Sequence, residues 1–206
     1  MGMRIREKWD LPSEYGRALV VLAIAFLVGG AAGCVLAALS GGAGAEELSR
    51  YLVDYLTLAR DDQLSRSLCP ILWGQVKYPL AALLLGLTAL GAAGFPVLFG
   101  VRGFFFSFPV ACFCRVFGQR GLFPAFVLFG LPALLWVPAL FLMGVSGFLS
   151  AQQLLRRYLG EGRGGVPLSG AYWCRAGLCV GLALAAALLE YWVVPVLLRG
   201  MARVIL

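Results

Sequence analysis

The sequence predicts an all-α, polytopic membrane protein of five transmembrane helices, with one amphipathic helical segment outside the bilayer. Two observations carry this. Of the 206 residues 61% are hydrophobic and only 13% are charged, and the mean hydropathy is +0.89. A soluble domain is usually about half apolar and a quarter charged, so this chain has too few charges to cover a water-facing surface. Second, several apolar runs approach or exceed the ~20 residues that a helix needs to cross a bilayer. All 206 residues therefore read as a single integral membrane domain.

Residues 1–17 form a charged N-terminal segment in which Trp9 and Tyr15 are suited to the membrane interface. The first span covers residues 18–39. It is longer than the roughly 7–15 apolar residues of a signal-peptide core, so it reads as a retained span. Ala25, Gly29, Gly33 and Ala37 recur along it every four residues. Such a small-residue stripe lets another helix approach closely.

Residues 40–76 are the one sizeable polar stretch. After a Gly-rich turn, Leu48, Tyr51, Leu52, Tyr55 and Leu56 share the apolar face of a helix, with Asp54 on a polar face. Leu64, Leu68, Ile71 and Leu72 form the apolar side of a second short piece. The segment carries both signs of charge, whereas helices that lie on membranes are usually rich in Lys and Arg. It therefore reads as packing on the spans or on a protein.

The second span covers residues 78–101, and Arg102-Gly103 is nearly the whole connection to a third, short and Phe-rich span at 104–117, which either is tilted little or begins before Arg102 with that side chain snorkelling. Gly118-Gln119-Arg120-Gly121 is a turn. The fourth span, 122–149, contains Pro132 and Pro138, which should break or kink it because proline removes a backbone donor. A basic loop leads to the fifth span at 176–198. Lys and Arg divide almost evenly between the two sides, and the basic N-terminus is read as cytoplasmic.

Glu190 is the most informative single residue. A carboxylate near the middle of the bilayer costs about 2.5–3.5 kcal/mol on insertion scales, so it should face the protein interior. It serves either as a packing group for a neighbouring span or as a polar contact in a transporter or permease-like subunit. Pro195 follows five residues later, and the two are expected to mark one irregular turn.

Other chemistry finds little support. The chain has no His, the commonest metal ligand and general base. The six cysteines lie mostly in apolar runs, and Cys112 and Cys114 are too close in sequence to share a helix face, so they read as packing residues. Gly144-Val145-Ser146-Gly147 is no nucleophile elbow, and the Gly-rich stretch 160–165 lacks the Lys-Ser/Thr ending of a phosphate loop. No catalytic residue, cofactor or metal site is assigned. The net charge of +7 is scattered between spans rather than clustered with aromatics, which argues for anchoring in anionic lipid and against nucleic acid.

An ordered set of short motifs spans nearly the whole chain. Phe95-Pro96 precedes Val101-Arg102-Gly103; Phe117-Gly118-Gln119-Arg120-Gly121-Leu122 follows. Then come Leu131-Pro132, Val137-Pro138-Ala139 and Gln152-Gln153-Leu154-Leu155-Arg156-Arg157, and finally Glu190-Tyr191-Trp192-Val193-Val194-Pro195-Val196-Leu197. In this order the chain resembles the stage II sporulation protein M family of endospore-forming bacteria. It departs from that pattern after Pro132, where Ala133 and Leu134 stand in place of a frequent polar residue. The resemblance implies a non-enzymatic role in forespore engulfment, in the mother-cell membrane at the sporulation septum. It also implies two cell-wall hydrolases as partners, a lytic transglycosylase and an amidase/endopeptidase. Leu48, Tyr51, Leu52, Asp54, Tyr55 and Leu56 are then the expected docking surface.

Overall fold

The computed structural model describes residues 13–39, 67–159 and 170–205, together with positions 47, 50, 53, 54 and 57. Within these residues every long element is helical, and five helices are long and apolar enough to cross a membrane. They are α1 (Ser13–Leu39), α2 (Leu68–Gly86), α3 (Gly91–Phe117), α4 (Leu122–Tyr158) and α5 (Gly170–Ile205). The expected all-α membrane architecture is therefore the observed one. Large apolar side chains such as Leu27, Phe123 and Trp192 lie outward and exposed, where lipid rather than water is the matching solvent.

The spans fall differently from the sequence reading in one respect. The break between the second and third helices lies at 87–90, not at Arg102-Gly103. There Leu87 N–H reaches Leu83 and Leu84 carbonyls, Thr88 Oγ1 donates to Leu85 O at 3.2 Å, and Gly91 N–H donates to Thr88 O. A Cβ at Gly91 would collide with the Leu85 carbonyl, so glycine permits the tight return. This four-residue turn carries no charge, glycine or proline of its own to announce it. Residues 68–76, read as polar segment, are instead the first half of α2.

The core is set by helix packing around glycines. α1 packs most extensively on α3: a Cβ at Gly29 would strike the Gly100 carbonyl, and one at Gly103 would strike the Phe26 carbonyl. Half of the predicted small-residue stripe, Gly29 and Gly33, thus lies directly on α3 backbone. α3 then drives Phe95 and Phe99 into hollows on α4 left by Gly147 and Gly144. Phe26, Phe99, Phe106, Trp136 and Phe141 complete an aromatic cluster, with the Phe99–Phe141 centroids 4.9 Å apart and nearly edge-on.

α4 runs through its prolines without being broken. Leu122–Ala125 is one α turn, Phe126–Gly130 is a π segment, and Leu131–Tyr158 is α-helical through Pro138. A π turn just ahead of Pro132 shifts the hydrogen-bond register where the proline cannot donate, so the expected break is absorbed as a local irregularity. Pro132 is buried and Pro138 exposed. α5 likewise continues through Pro195, and no separate irregular turn joins it to Glu190.

Candidate functional site

The polar site inside the bundle is built from residues on four helices. On α2, Gln75, Tyr78 and Pro79 share a face by their spacing of three and four. On α3, Phe95, Phe99, Arg102 and Phe106 follow the same rule, so Arg102 is carried inward beside the phenylalanines that anchor the helix. On α5 a face of small side chains, Ala176, Cys179, Ala183 and Ala186, is fully buried and leads to Glu190. Trp136 on α4 is buried opposite them.

These placements join the charged residues through an amide. Arg102 Nη2 donates to Gln75 Oε1 at 3.1 Å, and Gln75 Nε2 donates to Glu190 Oε2 at 2.9 Å. The amide carbonyl thus faces the cation and its NH₂ faces the carboxylate, the one orientation in which both charges are served. The Arg102 guanidinium is also held between two rings, 4.1 Å from the Tyr78 centroid and 3.9 Å from the Trp136 centroid. In a desolvated setting each such cation–π contact is worth about 2 kcal/mol. Together they explain how a charge sits midway along a helix long and apolar enough to span a membrane: Arg102 lies inside α3, not in a loop. Its Nε is buried without a hydrogen-bond partner among the described residues, beside a cavity of ≈ 10 Å³ lined also by Gln75, Trp136, Cys179 and Ala183.

Further polar links pin the other ends of the bundle. Arg115 Nη1 donates to the Ala37 and Ala38 carbonyls at 2.6 and 3.0 Å, so α3 caps the C-terminal end of α1. Arg175 Nη1 donates to Ser146 Oγ at 2.8 Å, and that hydroxyl donates to Leu142 O at 2.9 Å. Tyr172 Oη donates to Leu83 O at 3.3 Å. Each ties one helix to another rather than lining a continuous polar path.

The structure therefore brings together two of the residues singled out from the sequence, Glu190 and Arg102, and leaves Pro132, Pro138 and Pro195 apart from them. Gln75, Tyr78 and Trp136 were missed. Gln75 stood in a stretch read as polar, where one more polar residue draws no attention; in a helix that crosses the bilayer it is conspicuous. In the extramembrane segment, Leu48, Tyr51, Leu52, Tyr55 and Leu56 lie outside the described residues. Asp54 is exposed, with Glu47 and Arg50 also exposed and Val53 and Thr57 half-buried. Thr57 Oγ1 donates to the Asp54 carbonyl at 2.8 Å. All six cysteines are free thiols, and no group of three or more metal-ligating side chains occurs among the described residues.

Compared with known proteins, residues 22–195 match the family described as stage II sporulation protein M. No curated protein and no solved structure matches the chain.

Proposed function

The chain belongs to the stage II sporulation protein M family, and we propose on that premise that it is a non-enzymatic membrane scaffold for forespore engulfment. It holds two cell-wall hydrolases, a lytic transglycosylase and an amidase/endopeptidase, at the mother-cell membrane of the sporulation septum. The N-terminus is cytoplasmic, which puts the segment between α1 and α2 on the side where the cell wall is remodelled. The exposed face of Glu47, Arg50 and Asp54, with the neighbouring Leu48, Tyr51, Leu52, Tyr55 and Leu56, is its docking surface.

One observation carries this reading. Glu190, the group on which a transport reading depends, already accepts a hydrogen bond from Gln75, which in turn accepts one from Arg102. A polar group used to lock helices together favours a rigid platform over a moving pathway. Affinity capture of the tagged, full-length chain from sporulating cells tests the proposal. Both hydrolases are expected in the captured material, and both should be lost when residues 46–57 are replaced by a Gly-Ser linker of equal length. Capture of neither hydrolase by the intact chain refutes it.

A further inference from the structure

Four helices meet around Arg102, and their side chains do not close on it completely. A cavity of ≈ 10 Å³ remains, lined by Gln75 and Tyr78 of α2, Arg102 of α3, Trp136 of α4, and Cys179 and Ala183 of α5. The guanidinium bordering it is only partly served. Nη2 donates to Gln75 Oε1 at 3.1 Å. Nε shares the side edge of the guanidinium with Nη2, and it is buried with no hydrogen-bond partner among the described residues. A buried donor on a charged group is costly to leave unmatched, and here the unmatched donor and the cavity belong to the same side chain.

We propose that this cavity holds one ordered water molecule, which accepts a hydrogen bond from Arg102 Nε–H. Size and chemistry select the occupant. About 10–15 Å³ is the least that admits a water molecule, so a phosphate or a chloride ion has no room. The occupant must accept from a cation, which excludes a metal ion or an ammonium group. A buried water needs about three polar partners of its own. Arg102 Nε–H is the first. Gln75 Oε1 is the second: an amide oxygen has two lone pairs, and Arg102 Nη2 uses one of them. Tyr78, also on the wall, brings a hydroxyl. The side edge of a guanidinium is the fork that a carboxylate fills with two oxygens. In this site the amide oxygen takes one position and the water oxygen the other. The water thereby adds a link between α2 and α3 at the point where α4 and α5 pack on them, whatever partner the protein docks.

X-ray hydroxyl-radical footprinting of the full-length protein in detergent micelles tests the site, because a bound water activated in place oxidises the side chains around it. Each rate is divided by that of the same residue in the unfolded chain. Trp136 and Tyr172 are comparably buried, at 7% and 3% exposed, but Trp136 lines the cavity and Tyr172 does not. On that scale Trp136 should be oxidised several times faster than Tyr172. Ala183→Val fills the cavity and should bring Trp136 down to the level of Tyr172. Equal rates for Trp136 and Tyr172 in the unaltered protein overturn the proposal, and that comparison decides alone if Ala183→Val does not fold. Undiminished Trp136 oxidation in an Ala183→Val protein that keeps Tyr172 protected also overturns it. A Trp136 rate that changes when chloride is exchanged for gluconate overturns the choice of water.

Discussion

Replacing Glu190 with Leu removes the acceptor at one end of the Arg102–Gln75–Glu190 chain and leaves a guanidinium charge in the bundle with no counter-charge. The expected loss has two parts. A charge-assisted hydrogen bond contributes about 1.5–3 kcal/mol in soluble proteins. Helix–helix hydrogen bonds inside membranes average only about 0.6 kcal/mol and reach about 1.7. The Gln75–Glu190 bond, at 2.9 Å to a carboxyl oxygen, belongs near the upper membrane value. Stranding one member of a buried charge pair costs about 3–5 kcal/mol when the charges touch. Here an amide separates them, so roughly half of that range applies, and Glu190→Leu should destabilise by about 2–4 kcal/mol.

Arg102→Leu forfeits its bond to Gln75 and both ring contacts, and should cost about 5–6 kcal/mol. The two substitutions together strand neither charge. Their combined cost should therefore fall short of the sum by at least 1 kcal/mol, on the order expected for residues in one network. Reversible unfolding in mixed micelles, by titration with sodium dodecyl sulfate, measures all four corners of the cycle. Additivity within about 0.5 kcal/mol would show that Arg102 and Glu190 are energetically independent, and would refute the coupling through Gln75. Glu190→Gln retains an acceptor for Gln75 and should cost less than Glu190→Leu.

Gly103→Leu should destabilise by about 1–3 kcal/mol or more, because even a Cβ would meet the Phe26 carbonyl; Gly177→Ala and Gly181→Ala, with open space around them, should be neutral or slightly stabilising in the same assay. Cys112 and Cys179 are buried and should resist N-ethylmaleimide until the protein is unfolded, whereas exposed Cys69 and Cys174 should react in the native protein. With a cytoplasmic N-terminus, a membrane-impermeant maleimide applied from outside should modify Cys69 at the start of α2 and spare Cys174 at the start of α5; the opposite pattern would invert the orientation. Charge reversal at Glu47 and Asp54 should reduce hydrolase capture, and unchanged recovery would remove the polar face from the docking surface.

Span number and helical class were legible because hydropathy reports directly on the solvent a segment will meet. The small-residue stripe of α1 was legible for a similar reason: glycine at every fourth position has a steric consequence wherever the partner comes from. The boundary between α2 and α3 was not. A lone arginine after a long apolar run looks like the edge of a membrane, and only the positions of Gln75, Tyr78 and Trp136 in space reveal that Arg102 has a buried partner set. The true turn, Leu87-Thr88-Ala89-Leu90, carries no charge and hides between two apolar runs. The prolines misled in the other direction. Pro132 and Pro138 signal lost donors, but a π segment and neighbouring helices accommodate that loss without ending the helix. Glu190 was correctly sent inward by its desolvation cost, while the identity of its partner, 115 residues away in sequence, lay beyond any local pattern.

Deletion of the gene in its host, followed by membrane-dye microscopy under sporulation conditions, tests the scaffold role most directly. Cells lacking the protein should complete the septum and then fail to move the mother-cell membrane around the forespore. Complementation with the intact chain should restore migration, and the chain with residues 46–57 replaced should not. Normal engulfment in the deletion strain would contradict the role proposed for this protein and leave its five-helix membrane architecture without that function.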